Sequence, residues 1–320
     1  EFIYVEKLRE KYSYLPQKFV INPIIGEFDD PNNQRQDLLI LDFNENGNTL
    51  IYGSDDKEIM LLDTPGHIDF SAEMERTLKV LDYAILVVNG ADRIEGHVRT
   101  LWKLLENYDI PTFLFVNKMD GALANKEIIT KQMKEKFDSN LVDFSVEKND
   151  EWYENIALCD EKLMEKYLEG EEITDIDIIE QIVERRMFPC FYGSALKIEG
   201  IEEFLRGLQT YTISKKYNDE FGARVYKISR DSNENRLTHM KITGGKLSVK
   251  QLIGEEKINQ IYIYSGAKAT TVNELEAGAI CAVTGLTMSY VGQGLGKEED
   301  SSEVYIEPVL SYTINLPEGV

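Results

Sequence analysis

The chain has 320 residues, a length that favours about two domains, and its 42% hydrophobic and 10% aromatic content suits a globular protein with a sizeable core. Its 57 acidic and 35 basic residues give a formal net charge of −22. This balance argues against DNA binding and against broad, non-specific RNA binding, because neutralising phosphates requires Lys and Arg.

Cysteine, histidine and hydropathy patterns exclude further classes. The three cysteines are far apart and form no metal-binding spacing, so we expect reduced, mostly buried thiols in a cytoplasmic protein. The three histidines are equally scattered, and we expect His97 and His239 to be surface or packing residues. No run approaches the roughly 18 apolar residues of a membrane span, and the first residues lack a signal-peptide pattern, so no membrane association is expected.

Residues 1–56 form an atypical first segment, rich in Pro and Asn. Within it, 37–43 and 49–53 are strand candidates separated by a turn at 44–48. Residues 49–62 also suit a β-hairpin that turns at Asp55-Asp56.

Residues 57–213 predict an α/β domain with a doubly wound parallel sheet. Short apolar runs alternate here with segments of helical spacing, a pattern typical of parallel strands covered on both faces. The predicted strands are 58–62, 84–88, 112–116 and 188–192, and the predicted helices are 70–81, 95–107, 124–136, 159–186 and 199–209. Ligands of such sheets bind at the carboxyl ends of the strands.

Residues 221–310 predict a second domain, an antiparallel β-barrel or sandwich. The segment consists of short alternating runs divided by Gly, Asn and Asp turns. Residues 214–220 are the expected linker, and 311–320 the start of a link to a third domain.

The sequence Asp63-Thr64-Pro65-Gly66-His67, "DTPGH", follows the first predicted strand of the sheet. Asp63 could hold Mg²⁺ through a water, the Gly66 amide could approach a γ-phosphate, and His67 stands where a water-orienting residue belongs in phosphoryl transfer. A strand-ending Pro-Gly turn with a polar rim is the alternative.

Two further motifs follow later strands. In "NKMD", Asp120 could accept the N1 and N2 hydrogens of guanine, Asn117 could bridge the base and its own loop, and the stem of Lys118 could cover the base. The alternative is an Asx-rich turn that caps the next helix. In "GSAL", a backbone amide of the loop closed by Ser194 and Ala195 could contact guanine O6.

These three motifs resemble G3, G4 and G5 of GTPases, and DTPGH with NKMD resembles the translational GTPases. The stretch from Glu58 to Asp120 looks like elongation factor G and, more closely, the ribosomal-protection tetracycline resistance proteins. The short helical stretch between NKMD and GSAL, and the sequences at 224–253 and 256–268, are similar to the same branch, whose second domain is a translation-factor β-barrel. The resemblance covers about residues 57–320.

The resemblance implies a P-loop-NTPase-like sheet and a set of site residues. It makes His67 catalytic, places Asp63 near Mg²⁺ through a water, and makes Gly66 the γ-phosphate sensor. It places Asn117, Lys118, Asp120, Ser194, Ala195 and Leu196 around guanine. It further implies GTP or GDP and Mg²⁺ as cofactors, and the ribosome, both rRNA and ribosomal proteins, as partner.

Two expected parts are missing from the 320 residues: the phosphate-binding GxxxxGK[ST], and the switch segment with a Mg²⁺-binding Thr that the resemblance places before DTPGH. Residues 291–299 come nearest to the phosphate-binding motif, but they have Val291 at the first Gly and Glu298 at the Ser/Thr position, and they lie in the predicted barrel. Residues 1–56 resemble the lead-in to the phosphate loop of FtsK/SpoIIIE-type ATPases of type VII secretion, so a fusion near 53–57 is one hypothesis. The sequence thus leaves open a GTP-hydrolysing factor, a non-catalytic remnant that makes ribosome or protein contacts, and a secretion-ATPase module.

Overall fold

A computed structural model describes residues 49–51, 58–60, 62, 71–94, 96–231, 233–265, 268–301 and 305. The strand candidate 37–43, the turn at Asp55-Asp56, the DTPGH motif and residues 306–320 lie outside this part of the chain. Among the described residues, no helix is both long and apolar enough to cross a membrane.

The first strands form a separate two-stranded ladder. β1 (Thr49–Ile51) pairs antiparallel with β2 (Glu58–Met60), with Thr49 opposite Met60. This is the pairing that the predicted hairpin requires. Within the described residues, neither β1 nor β2 pairs with the main sheet, so the prediction that 58–62 is its first parallel strand is wrong: β2 pairs instead with β1, its neighbour in sequence.

The main sheet has four parallel strands and confirms the α/β prediction. They are β3 (Ala84–Asn89), β4 (Thr112–Asn117), β5 (Leu141–Asp143) and β6 (Phe188–Tyr192), in the order β3-β4-β6-β5. The helices around them are α1 (Ser71–Leu78), α2 (Gly96–Asn107), α3 (Lys126–Lys136), α4 (Asp150–Ala157), α5 (Glu161–Glu169), α6 (Asp175–Val183) and α7 (Ile201–Tyr211).

The helical stretch 159–186 differs from its prediction, because it contains two helices rather than one. Gly170 ends α5 with φ +73°, a conformation that favours glycine, and its amide donates to the Tyr167 carbonyl at 3.2 Å. Thr174 then begins α6 with a reciprocal capping box with Asp177. The sequence prediction also missed α4 and the three-residue β5, both too short to give a clear periodic pattern.

β4 is the centre of this unit, and all six of its residues are buried. Since successive side chains of a strand point to opposite faces, Leu114 and Val116 pack into one hydrophobic cluster and Phe113 and Phe115 into the other. This double burial explains the continuous apolar run, and it fixes the end of the strand at which Asn117 lies.

The second unit is antiparallel, consistent with a translation-factor barrel. Its main sheet has the order β13-β12-β15-β8-β7-β16. Its strands are β7 (Gly222–Arg230), β8 (Arg236–Gly244), β9 (Lys246–Ser248), β10 (Leu252–Ile253), β11 (Glu256–Lys257), β12 (Gln260–Ser265), β13 (Lys268–Val272), β14 (Glu274–Glu276), β15 (Ile280–Thr284) and β16 (Gly294–Gly296). Val225, Met240, Ile242 and Ile261 are fully buried in its core.

An ion pair made by a buried lysine joins the two units. Lys241 on β8 is 4% exposed, and its Nζ lies 2.6 Å from Asp82 Oδ2 and donates to the Val80 carbonyl at 3.0 Å. Tyr217 Oη lies 3.4 Å from both carboxylate oxygens of Asp82. The barrel therefore contacts the connection between α1 and β3 through charged groups.

His239 on β8 packs within the barrel. Its Nε2 hydrogen-bonds Ser229 Oγ at 2.8 Å, and its ring centroid lies 6.2 Å from that of Tyr226 and 5.9 Å from that of Tyr264. Burial, together with the nearby charge of Lys227, lowers the pKa of His239 to about 4.

This lowered pKa predicts an acid-sensitive barrel. Between pH 6.5 and 4, His239 is protonated in the unfolded state but mostly neutral in the folded state. The free energy of unfolding should therefore fall by about 2–3 kcal/mol as the pH drops through this range, and this contribution should stay level above pH 6.5. The measurement is urea unfolding at several pH values for the wild type and for His239→Gln. The variant should lose this part of the decline, and parallel declines in the two proteins would contradict the prediction.

Candidate functional site

Two loops meet at the carboxyl end of the parallel sheet. The first loop, residues 117–121, begins at the last residue of β4, and the second loop, residues 193–200, follows β6. These strands are neighbours in the sheet, so NKMD and GSAL lie side by side although more than 70 residues separate them. The structure therefore brings together Asn117, Lys118, Asp120, Ser194, Ala195 and Leu196.

Asn117 joins the two loops. Its side chain is buried, and its Oδ1 accepts hydrogen bonds from the Lys118 amide at 2.8 Å and the Ala195 amide at 2.9 Å. The backbone adds two more links, because Gly193 N donates to Val116 O at 3.0 Å and Met119 N donates to Gly193 O at 3.0 Å. Asn117 thus links the two loops through contacts within the protein itself.

The backbone of each loop is tightly constrained. Lys118 has φ +63°, an unusual value for a residue with a side chain, as found at functional sites. At Gly193, an added Cβ would lie 2.1 Å from the Glu199 carbonyl oxygen, so the second loop closes only around a glycine. That closure is an antiparallel bridge between Ser194 and Glu199, with N···O distances of 3.0 and 3.1 Å.

Asp120 presents an ionised carboxylate beside this junction. A hydrogen bond from the Ser194 side chain is the largest cause that lowers the pKa of Asp120, and the charge of Lys197 lowers it further. Lys197 Nζ lies 3.5 Å from Asp120 Oδ2. Such a carboxylate is an acceptor only, with two oxygens able to receive two neighbouring N–H groups.

The backbone amides of the second loop differ in whether they already donate a hydrogen bond within the protein. The Ala195 amide is taken by Asn117, whereas the Leu196 amide donates to none of the described residues. Leu196 is 68% exposed. Leu196 therefore offers both a donor and an apolar surface at the rim.

Lys197 is the residue of this site that the sequence analysis missed. It directly follows the GSAL motif, and the available signal was a cation in the loop expected to face Asp120. Asp63, Gly66 and His67 lie outside the described residues, so their position relative to the two loops stays a prediction. Within the described part of the chain, no group of three or more His, Cys, Asp or Glu could hold a metal ion.

The link made by Asn117 leads to a direct prediction. In Asn117→Ala the Ala195 amide loses its acceptor, so its hydrogen exchange should accelerate by about 10-fold or more, as expected for the loss of a buried hydrogen bond. Amide exchange followed by NMR measures this. Asn125→Ala is the matched control, because Asn125 caps α3 through the Ile128 amide and should leave Ala195 protected. Unchanged exchange at Ala195 in Asn117→Ala would contradict the assigned link.

Comparison with known proteins relates this chain to the GTP-binding domains of elongation factors. A family model described as the elongation factor Tu GTP binding domain matches residues 43–214, more than half of the chain. The match begins inside the segment 1–56, so it includes the β1–β2 ladder.

Similar proteins include two kinds of curated relative. The tetracycline resistance protein TetP of Clostridium perfringens is 29% identical over 299 residues, which cover 83% of this chain and 46% of TetP. Elongation factor G of Ureaplasma parvum serovar 3 is 26% identical, with 79% of this chain and 48% of the relative covered. The chain thus spans about half the length of the curated relatives it matches.

A solved structure from Thermus thermophilus shares the fold. The TM-score is 0.68 at 19% sequence identity, and the alignment covers 79% of this chain and 46% of the solved one.

Proposed function

Because this chain belongs to the family of the elongation factor Tu GTP-binding domain, the translational GTPases, we propose that its two loops hold the guanine base of GTP or GDP. The observation that carries the proposal is the junction at Asn117, which places the ionised Asp120 next to the second loop. Six residues would surround the base: Asn117, Lys118, Asp120, Ser194, Ala195 and Leu196.

Each contact follows from the chemistry of guanine. The two oxygens of Asp120 accept the N1 and N2 hydrogens, a pair that adenine does not present. The Leu196 amide donates to O6, because the Ala195 amide is already used by Asn117. The stem of Lys118 and the exposed Leu196 side chain cover the two faces of the base.

The phosphate end of the site is proposed from the motif alone. Asp63 would hold Mg²⁺ through a water, the Gly66 amide would contact the γ-phosphate, and His67 would orient the attacking water. Mg²⁺ would neutralise charge on the phosphates, as in other phosphoryl-transfer enzymes.

At the level of the whole protein, we propose a cytoplasmic factor that hydrolyses GTP on the ribosome. The similarity to TetP supports a ribosomal-protection role against tetracycline, with rRNA and ribosomal proteins as partners. We also propose that the GTP-binding domain spans 57–213 and the barrel 221–310, with 214–220 as linker and 311–320 leading towards a third domain.

A second candidate is a protein that folds and makes ribosome or protein contacts without hydrolysing GTP. It is favoured by one observation, that GxxxxGK[ST] does not occur in the 320 residues. Without that loop, several charge-assisted phosphate contacts, each worth about 1.5–3 kcal/mol, would have to come from elsewhere.

Titration with fluorescent GDP and GTP, with and without ribosomes, tests both candidates. The proposed GTPase predicts saturable binding of both nucleotides and release of phosphate that ribosomes accelerate. Binding of GDP without phosphate release, or binding to ribosomes alone, would support the second candidate. Equal binding of ADP and GDP would overturn the assignment of the base site.

A further inference from the structure

Lys197 is placed so that its charge acts on Asp120. Its ammonium lies 3.5 Å from Asp120 Oδ2, with the Asp120 side chain 17% and the Lys197 side chain 53% exposed. The carboxylate is thus mostly covered by protein, while the lysine reaches it from the solvent side.

The second loop fixes the point from which Lys197 leaves the backbone. The Lys197 amide donates to the Ser194 carbonyl and to Ser194 Oγ, each at 3.2 Å. The following residue, Ile198, is held at φ +61° and is 6% exposed. Ser194 therefore serves two residues, since its hydroxyl accepts from the Lys197 amide and hydrogen-bonds the Asp120 carboxylate.

We propose that Lys197 is a positioning residue for base recognition, which together with Ser194 holds the Asp120 carboxylate in the orientation that accepts both guanine N–H groups. The inference rests on the proposed function. Without this cation, the carboxylate keeps only neutral donors, the Ser194 side chain and its own backbone amide, and the strongly acidic chain offers it less electrostatic compensation.

The expected effect is modest, because the lysine is half exposed and solvent screens its charge. Lys197→Met should weaken GDP binding by about two- to five-fold, the range typical of exposed ion pairs. Lys197→Arg retains the charge and should bind GDP as the wild type does.

A change of base separates charge from general damage to the loop. In Asp120→Asn the amide offers one acceptor and one donor, which match the N1–H and the C2 carbonyl of xanthine. That side chain has no charge for Lys197 to hold. Lys197→Met in the Asp120→Asn background should therefore leave the binding of xanthosine diphosphate (XDP) unchanged.

The experiment measures fluorescent GDP and XDP binding to these variants and follows the Asp120 carboxyl by NMR over pH. Lys131→Met is the control, since Lys131 is 78% exposed on α3 and pairs with Glu135 rather than with the site. Support requires weaker GDP binding and a raised pKa of Asp120 in Lys197→Met, with GDP binding as in the wild type in Lys197→Arg. It also requires that Lys197→Met leave XDP binding unchanged in the Asp120→Asn background.

The inference and the proposed function fail in different ways. If the wild type binds GDP and Lys197→Met binds it equally well, the positioning role is overturned while the base site stands. If Lys197→Met weakens XDP binding in the Asp120→Asn background as much as it weakens GDP binding in the wild-type background, the effect is structural and the inference is again overturned. If the wild type binds no guanine nucleotide, the proposed function fails and the positioning role with it.

Discussion

Asp120→Asn should weaken GDP binding by about 100-fold or more. The substitution replaces one of two charge-assisted acceptors by a donor, which then faces the N2 amino group of guanine. Hydrogen bonds to charged groups contribute about 1.5–3 kcal/mol each, and leaving a guanine N–H unpaired adds its desolvation cost. Competition titration of GDP against XDP measures the change, and XDP should become the preferred nucleotide.

Asp109→Asn is the matched control for this substitution. Asp109 is exposed, precedes β4 at the end opposite to Asn117, and has φ +52°, a conformation that asparagine tolerates well. GDP binding by this variant should equal that of the wild type. Loss of binding in both variants, or unchanged GDP preference in Asp120→Asn, would remove Asp120 from the base site.

The pH dependence of binding provides a second check on Asp120. Its pKa is lowered, mainly by the hydrogen bond from Ser194, so the carboxylate stays ionised below the ordinary range of aspartate. Because the pKa of this carboxyl is lowered, the charged form that binds guanine persists as the pH drops, and it is lost only when the pH falls through the lowered pKa. GDP binding should therefore not weaken through this group between pH 7 and 5.

The sequence predicted the strands and motifs of the base site because their signals are local. The buried run that forms β4 reads as a parallel strand on its own, and the Asx residues after it mark the strand end. What could not be predicted is which groups meet across the two loops. That Asn117 takes the Ala195 amide and leaves the Leu196 amide available depends on neighbouring strands that are distant in the chain.

The same limit explains the errors in the helical region. A run of apolar spacing at 159–186 cannot show where a helix stops when the stop depends on one glycine, Gly170, and on a cap at Thr174. Likewise, β5 has only three residues, and its pairing with β6 defines it more than its own sequence does. Tertiary contacts decided these elements.

Asp82→Ala should lower the free energy of unfolding by about 3 kcal/mol or more, the largest stability effect that we expect. It leaves the Lys241 ammonium, 4% exposed, without its carboxylate, and an uncompensated buried charge costs about 3–5 kcal/mol. The remaining contacts, the Val80 carbonyl at 3.0 Å and the Tyr217 ring centroid at 5.9 Å, are neutral and offset only part of this cost. Urea unfolding at pH 7 measures it.

The companion variants separate buried charge from lost contact. Lys241→Met leaves Asp82, whose side chain is 35% exposed and can be hydrated, so this variant should be less destabilised than Asp82→Ala. Adding Lys241→Met to Asp82→Ala should restore part of the lost stability, because the unpaired buried charge is gone. Asp175→Ala is the control, since its ion pair with Lys148 at 3.1 Å is about half exposed and should contribute less than about 1 kcal/mol. Equal effects of Asp82→Ala and Asp175→Ala would mean that solvent screens the Lys241–Asp82 pair, and that apolar packing, rather than this pair, holds the barrel to the α1–β3 connection.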